Sequence, residues 1–92
     1  MIFGIFRVSG HSMMPYLAPG NRVIVSAIPY YFLKPKISDV VVFTKDDKML
    51  IKRIVKVSKN VLYVKGDNKL DSLKVEPIPR KEILGRVIFK LS

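Results

Sequence analysis

Ninety-two residues suffice for one hydrophobic core and not for two, so the chain reads as a single domain over 1–92. The absence of cysteine excludes disulfides and thiolate metal sites, and a lone histidine, His11, argues against a histidine-built metal centre. No cofactor is implied. Seventeen Lys and Arg against seven Asp and Glu give a net charge of +10, which suits an acidic partner or a solvated lysine-rich surface. The lysines are spread from Lys34 to Lys90 with no block of like charge.

The opening hexapeptide Met1–Phe6 is far shorter than the ~20 apolar residues of a spanning helix. It also lacks the basic start and small-residue cleavage site of a secretory signal. The chain is therefore expected to be cytoplasmic or peripheral to a membrane. Strand periodicity dominates the rest, with turn signals every eight to twelve residues or so. Phe3–Ser9 and Arg22–Val25 read as strands separated by a glycine- and proline-punctuated segment, Gly10–Gly20. Ile28–Lys36 reads as an apolar loop bounded by prolines. Asp39–Thr44 and Lys48–Val57 form a hairpin turning at Lys45–Asp47, and Val61–Lys65 is a further strand. Gly66–Pro79 reads as a long loop, Arg80–Leu84 as the one helical turn, and Gly85–Leu91 as the closing strand. The fold class is all-β, partly barrel-like, with long loops.

Chemistry concentrates in Val8-Ser9-Gly10-His11-Ser12-Met13-Met14-Pro15. A serine two residues past a glycine, at the exit of a strand, can present its hydroxyl on a sharp turn, with its own N–H facing a developing oxyanion. Most Gly-x-Ser turns are only turns, and a nucleophilic serine also needs a base. His11 is adjacent to Ser12, and adjacent side chains in an extended chain point to opposite faces, so a Ser-His-Asp triad is disfavoured. His11 is assigned a structural or substrate-facing role. The alternative base lies in Leu50-Ile51-Lys52-Arg53-Ile54, where Lys52 shares a strand face with Leu50 and Ile54. Loss of hydration on such a face favours the neutral amine that a general base needs, and Ser-Lys pairs are a known variant of the triad. Against this stands the plain possibility that Lys52, one of twelve lysines, snorkels to water.

Five segments, in order, resemble the type I signal peptidases and their self-cleaving repressor-protease relatives. Gly10-His11-Ser12-Met13-Met14-Pro15-Tyr16-Leu17 resembles the family's G-x-S-M-x-P-x-L nucleophile motif. Ser38–Phe43 resembles its G-D-x-V-V-F strand, and Ile51-Lys52-Arg53-Ile54 its I-K-R-V segment. Gly66-Asp67-Asn68 with Asp71-Ser72 is similar to its G-D-N…D-S-R region, and Ile83–Val87 to its I-x-G-R-V strand. In length and layout the chain is similar to small soluble members, such as the maturation protease of nickel superoxide dismutase. The resemblance implies a serine endopeptidase with Ser12 as nucleophile and Lys52 as base, and oxyanion stabilisation at the Gly10–Ser12 turn. Arg53, Asp67, Asp71 and Ser72 would be supporting groups, and Met13, Met14 and Pro15 substrate contacts. The substrate, a protein or peptide, would bind as an extended strand and be cut in trans, since only eleven residues precede Ser12.

Departures from the pattern are Asn21 for aspartate, Ser38 for glycine, Lys69 for a supporting serine and Leu73 for arginine. These keep open a catalytically degenerate scaffold. A second alternative is a small basic β-barrel that stacks single-stranded nucleic acid on its tyrosines and phenylalanines, though nucleic acid is not the expected partner. Tyr30-Tyr31-Phe32-Leu33 could reach a bilayer interface with Lys34 and Lys36 on headgroups, or fold over its own core, the commoner fate of such clusters.

Overall fold

The computed structural model describes residues 3–70 and 74–91. Seven strands form one antiparallel sheet: β1 (Phe3–Arg7), β2 (Arg22–Ser26), β3 (Val40–Lys45), β4 (Lys48–Ser58), β5 (Val61–Lys65), β6 (Glu76–Pro79) and β7 (Ile83–Lys90). Their order is β1-β2-β7-β3-β4-β5-β6. A single-turn helix α1 (Pro29–Phe32) follows β2, and a 3-10 turn at Arg80–Glu82 precedes β7. The all-β expectation holds, in a sheet that curls without closing.

The centre of the sheet is β3, whose run Val40-Val41-Val42-Phe43 is buried on both faces. Alternation sends Val40 and Val42 into one cluster with Val8, Met13, Leu17, Val23 and Val25. Val41 and Phe43 enter another with Ile54, Leu62, Val64 and Ile78. An uninterrupted apolar strand is what a doubly covered position requires. The β3–β4 turn has positive φ at both Asp46 (52°) and Asp47 (63°), the signature of a two-residue hairpin turn that matches strand twist. At Gly85 a Cβ would sit 2.8 Å from the Ser26 carbonyl oxygen, so glycine is needed for the approach of β2 and β7.

Three expectations need correction. The stretch Gly66–Pro79 is not all loop, because Glu76–Pro79 forms β6, pairing Leu62 with Ile78. Its prolines are tolerated because β6 is an edge strand with no second ladder to serve. Strand β1 ends at Arg7 rather than Ser9, and the chain turns away at Gly10, where φ is 81°. The apolar loop Ile28–Lys36 contains α1, and it does not fold wholly over the core. Tyr30 packs inward, whereas Tyr31 and Phe32 are 67% and 83% exposed. Among the described residues, no helix is long and apolar enough to cross a membrane.

Candidate active site

The Ser12 loop is closed at its base by two backbone bonds of 2.8 Å, Val8 N–H to Asn21 O and Gly20 N–H to Val8 O. Asn21 Oδ1 accepts the Ala18 N–H at 2.9 Å, an acceptor role that either asparagine or aspartate can fill. Met13 and Leu17, buried at 2% and 0% exposure, fill the core beneath. Ser12 is half-buried between exposed Gly10–His11 and that anchor. Nothing lies within 4 Å of a Cβ built on Gly10, so the glycine serves the left-handed backbone rather than space.

A second loop clamps this turn. Asn68 donates its backbone N–H to Ser12 O at 2.8 Å and its side-chain amide to His11 O at 2.9 Å. Asp67, the preceding residue, is held by Arg53 through Nε and Nη2, each at 2.8 Å. The same guanidinium donates to Ser38 O at 2.9 Å and lies 5.1 Å from the centre of the Tyr16 ring. The bidentate bond to Asp67 raises the guanidinium's proton affinity, and the charged pair is the stronger kind of hydrogen bond. A path of contacts thus runs from β4 through Asp67 and Asn68 to the serine turn. Arg53 and Asp67 are both links in this path.

Lys52 precedes Arg53 and points to the other face, opposite Val41 on β3. Ladder pairing of β4 with β5 starts only at Arg53, which leaves the Met49–Lys52 edge without a strand partner among the described residues. The curl of the sheet brings Phe6–Ser9 opposite that edge. Between them lies a cleft of about 230 Å³, lined by Ser12 and Lys52 together with Met13, Val42 and Glu76. Larger depressions of about 700 and 680 Å³, at the β3–β4 turn and beside Arg80, are more open and contain neither residue.

The other expected site residues are placed unevenly. Met13 lines the cleft from the core, whereas Met14 and Pro15 line a separate depression with Asp67–Leu70. His11 is exposed and does not line the cleft. Asp71, Ser72 and Leu73 lie outside the described residues. Two groups had no role assigned from the sequence. Asn68 stood in the quoted G-D-N segment, and a short amide beside a turn is a recurrent backbone clamp. Glu76 was hidden in the supposed loop, although its alternation with Ile78 between prolines is an edge-strand signal. Its carboxylate pairs with Lys45, with side chains 24% and 46% exposed respectively. That hydrogen bond holds Glu76 below the usual carboxylate range, against the opposing effect of burial, and the charges of Lys45, Lys52 and Lys74 add to it.

Asp39 organises the remaining loop. Tyr30 O–H donates to its Oδ2 at 2.8 Å, the Lys36 N–H donates to the same oxygen at 3.1 Å, and Arg86 stands 3.9 Å from Oδ1. Burial first, and then the Asp39 hydrogen bond, push the Tyr30 phenol well above its ordinary range.

A half-buried serine on a pinned turn and a lysine on a strand edge thus line one cleft of the curled β-sheet. Comparison with known proteins supplies the family. The model of the family described as signal peptidase, peptidase S26, matches residues 1–58, and the chain belongs to that family. It is 31% identical over 94 aligned residues to signal peptidase I of Bacillus caldolyticus, covering 94% of this chain and 51% of that protein. It is 27% identical over 129 aligned residues to the probable thylakoidal processing peptidase 2, chloroplastic, of Arabidopsis thaliana, covering 86% of this chain and 35% of that protein. The chain thus spans about half or less of the length of these curated relatives.

Proposed function

We propose that this chain is a serine endopeptidase domain that cuts a peptide extension from a protein substrate in trans, with Ser12 as nucleophile and Lys52 as general base. The observation that carries the reading is that both residues, forty positions apart in sequence, line the same cleft. In the reaction the neutral Lys52 amine takes the Ser12 hydroxyl proton as Oγ attacks the scissile carbonyl carbon. The Ser12 backbone N–H, on the turn that Gly10 permits, stabilises the oxyanion. Collapse of the tetrahedral intermediate expels the amine, which receives the proton from the Lys52 ammonium. Water, deprotonated by the same lysine, then releases the acyl group. The unpartnered Met49–Lys52 edge and the facing Phe6–Ser9 segment offer an extended substrate backbone its hydrogen bonds.

A second element of the reading concerns the partner surface. Tyr31, Phe32 and Leu33 are exposed beside Lys34 and Lys36, which suits an anionic bilayer interface. On β1, β2 and β7 the cross-strand row Ile5–Ile24–Phe89 adds apolar surface, with Ile5 and Phe89 61% and 59% exposed.

The test of the chemistry is acylation of Ser12 by a small active-ester probe, read as an adduct by peptide mass spectrometry. Wild type should acquire the adduct, while Ser12→Ala and Lys52→Met should not. An equal adduct at Ser12 in Lys52→Met would remove the lysine from the mechanism.

A further inference from the structure

Glu76 is the only acidic side chain among the described residues that line the Ser12–Lys52 cleft, and the mechanism above makes no use of it. A carboxylate beside a lysine that must act as a neutral base is a liability. It favours the ammonium and so withholds the amine from the serine. Its setting resolves the conflict. Glu76 sits on β6, opposite Val64, and the curl of the sheet brings it to Lys45 at the end of β3. Lys45 closes the β3–β4 hairpin against Lys48, outside the cleft lining. The carboxylate is therefore engaged by a cation that is not part of the dyad.

We propose that Lys45 is a positioning residue for the cleft: by engaging Glu76 it keeps that carboxylate from pairing with Lys52, leaving Lys52 free to reach its neutral form. The proposal rests on the Ser12–Lys52 reading for its consequence in catalysis. Two charged side chains share the cleft lining with Lys52. They are Arg7 on β1 and Glu76 on β6. A guanidinium repels an ammonium in that cleft, and a carboxylate attracts it. With Lys45 removed, the lysine that shares the cleft lining with Glu76 is Lys52.

The experiment compares wild type, Lys45→Met, Glu76→Gln and the double variant by two independent readouts. The first is a pH titration of the Lys52 side chain by NMR of lysine-labelled protein, its signal assigned with Lys52→Arg. The second is the rate of Ser12 acylation by the active-ester probe at fixed, mildly alkaline pH. Lys45→Met should move the Lys52 midpoint up and slow acylation severalfold. Glu76→Gln, which is isosteric and keeps β6 paired, should move the midpoint down and speed acylation severalfold. The double variant should match Glu76→Gln, because Lys45 acts only through the carboxylate. An unchanged Lys52 midpoint in Glu76→Gln overturns the proposal, and so does a Lys45→Met effect that persists in the Glu76→Gln background. Shifted midpoints with no Ser12 adduct in any variant uphold the link between the three side chains and sink the dyad reading instead.

Discussion

The segments Gly10–Gly20 and Ile28–Asp39 have similar apolar content and similar punctuation, yet the protein uses them in opposite ways. The first buries Met13 and Leu17, leaves Tyr16 outside, and fastens its backbone to Asn21 and Asn68. Its left-handed positions are occupied by Gly10 and Gly20, so the turn carries little strain. The second sends Tyr30 inward to Asp39 and leaves Tyr31, Phe32 and Leu33 outside. Its left-handed position, φ 84°, is held by Ser38. Apolar content therefore does not decide whether a loop is core or surface. What decides is whether the sheet offers an uncovered face beneath it. The serine turn lies over one that Met13 and Leu17 help to fill, whereas α1 is seated by Tyr30.

Substitutions in the two loops should therefore differ sharply in their cost to stability. Leu17→Ala should cost about 3 kcal/mol in urea unfolding, since it opens a cavity under the serine turn. Leu33→Ala, at 50% exposure, should fall within about 0.5 kcal/mol of wild type. Equal costs would erase the distinction between the loops.

Next in size is the clamp. Asp67→Asn replaces a charged bidentate acceptor with a neutral amide and should cost about 2 kcal/mol. Its sharper signature is functional. Ser12 acylation should fall about tenfold or more at temperatures where the variant is fully folded, because the turn loses its brace rather than its chemistry. Undiminished acylation would reduce the Arg53–Asp67 pair to a purely structural role.

A third expectation has the opposite sign. Ser38 adopts a conformation that costs a residue with a side chain about 1 kcal/mol or more, and its side chain is exposed. Ser38→Gly should therefore stabilise the fold by about 1 kcal/mol, while Gly10→Ala should destabilise it by about the same. A neutral Ser38→Gly would mean that local bonds of the serine already offset the strain.

Much of this was legible in the residues, and the reasons for the gaps are physical. β3 announced itself by four successive apolar residues and β5 by its exact limits, because period and burial agree there. That Ser12 and Lys52 line one cleft follows from the curl of the sheet, which no local pattern encodes. β6 was missed because two prolines in four residues suppress a strand reading unless the edge position is known. Glu76 was lost with it, since the ion pair to Lys45 joins positions thirty-one residues apart. The exposure of Tyr31 and Phe32 was the less favoured of two readings, because aromatic clusters are usually buried and the sequence does not tell that α1 shows its outer face.

The smallest effect on stability, and the most informative about α1, is expected from replacing Tyr31 and Phe32 with serine. Both side chains are largely exposed, so unfolding should change by less than about 0.5 kcal/mol per site. If the loop meets a bilayer, each aromatic that enters the interface contributes about 1.5–3 kcal/mol of transfer free energy. Removing both should then lower flotation with anionic vesicles by about tenfold or more. Lys34→Gln and Lys36→Gln should each take away about 1 kcal/mol of the attraction to anionic lipid, an effect that fades as salt is raised. Binding that depends on the lysines and not on the aromatics would reduce the contact to the net charge of +10 alone. Flotation at low salt that is absent in wild type would leave α1 as an apolar surface with no bilayer to meet.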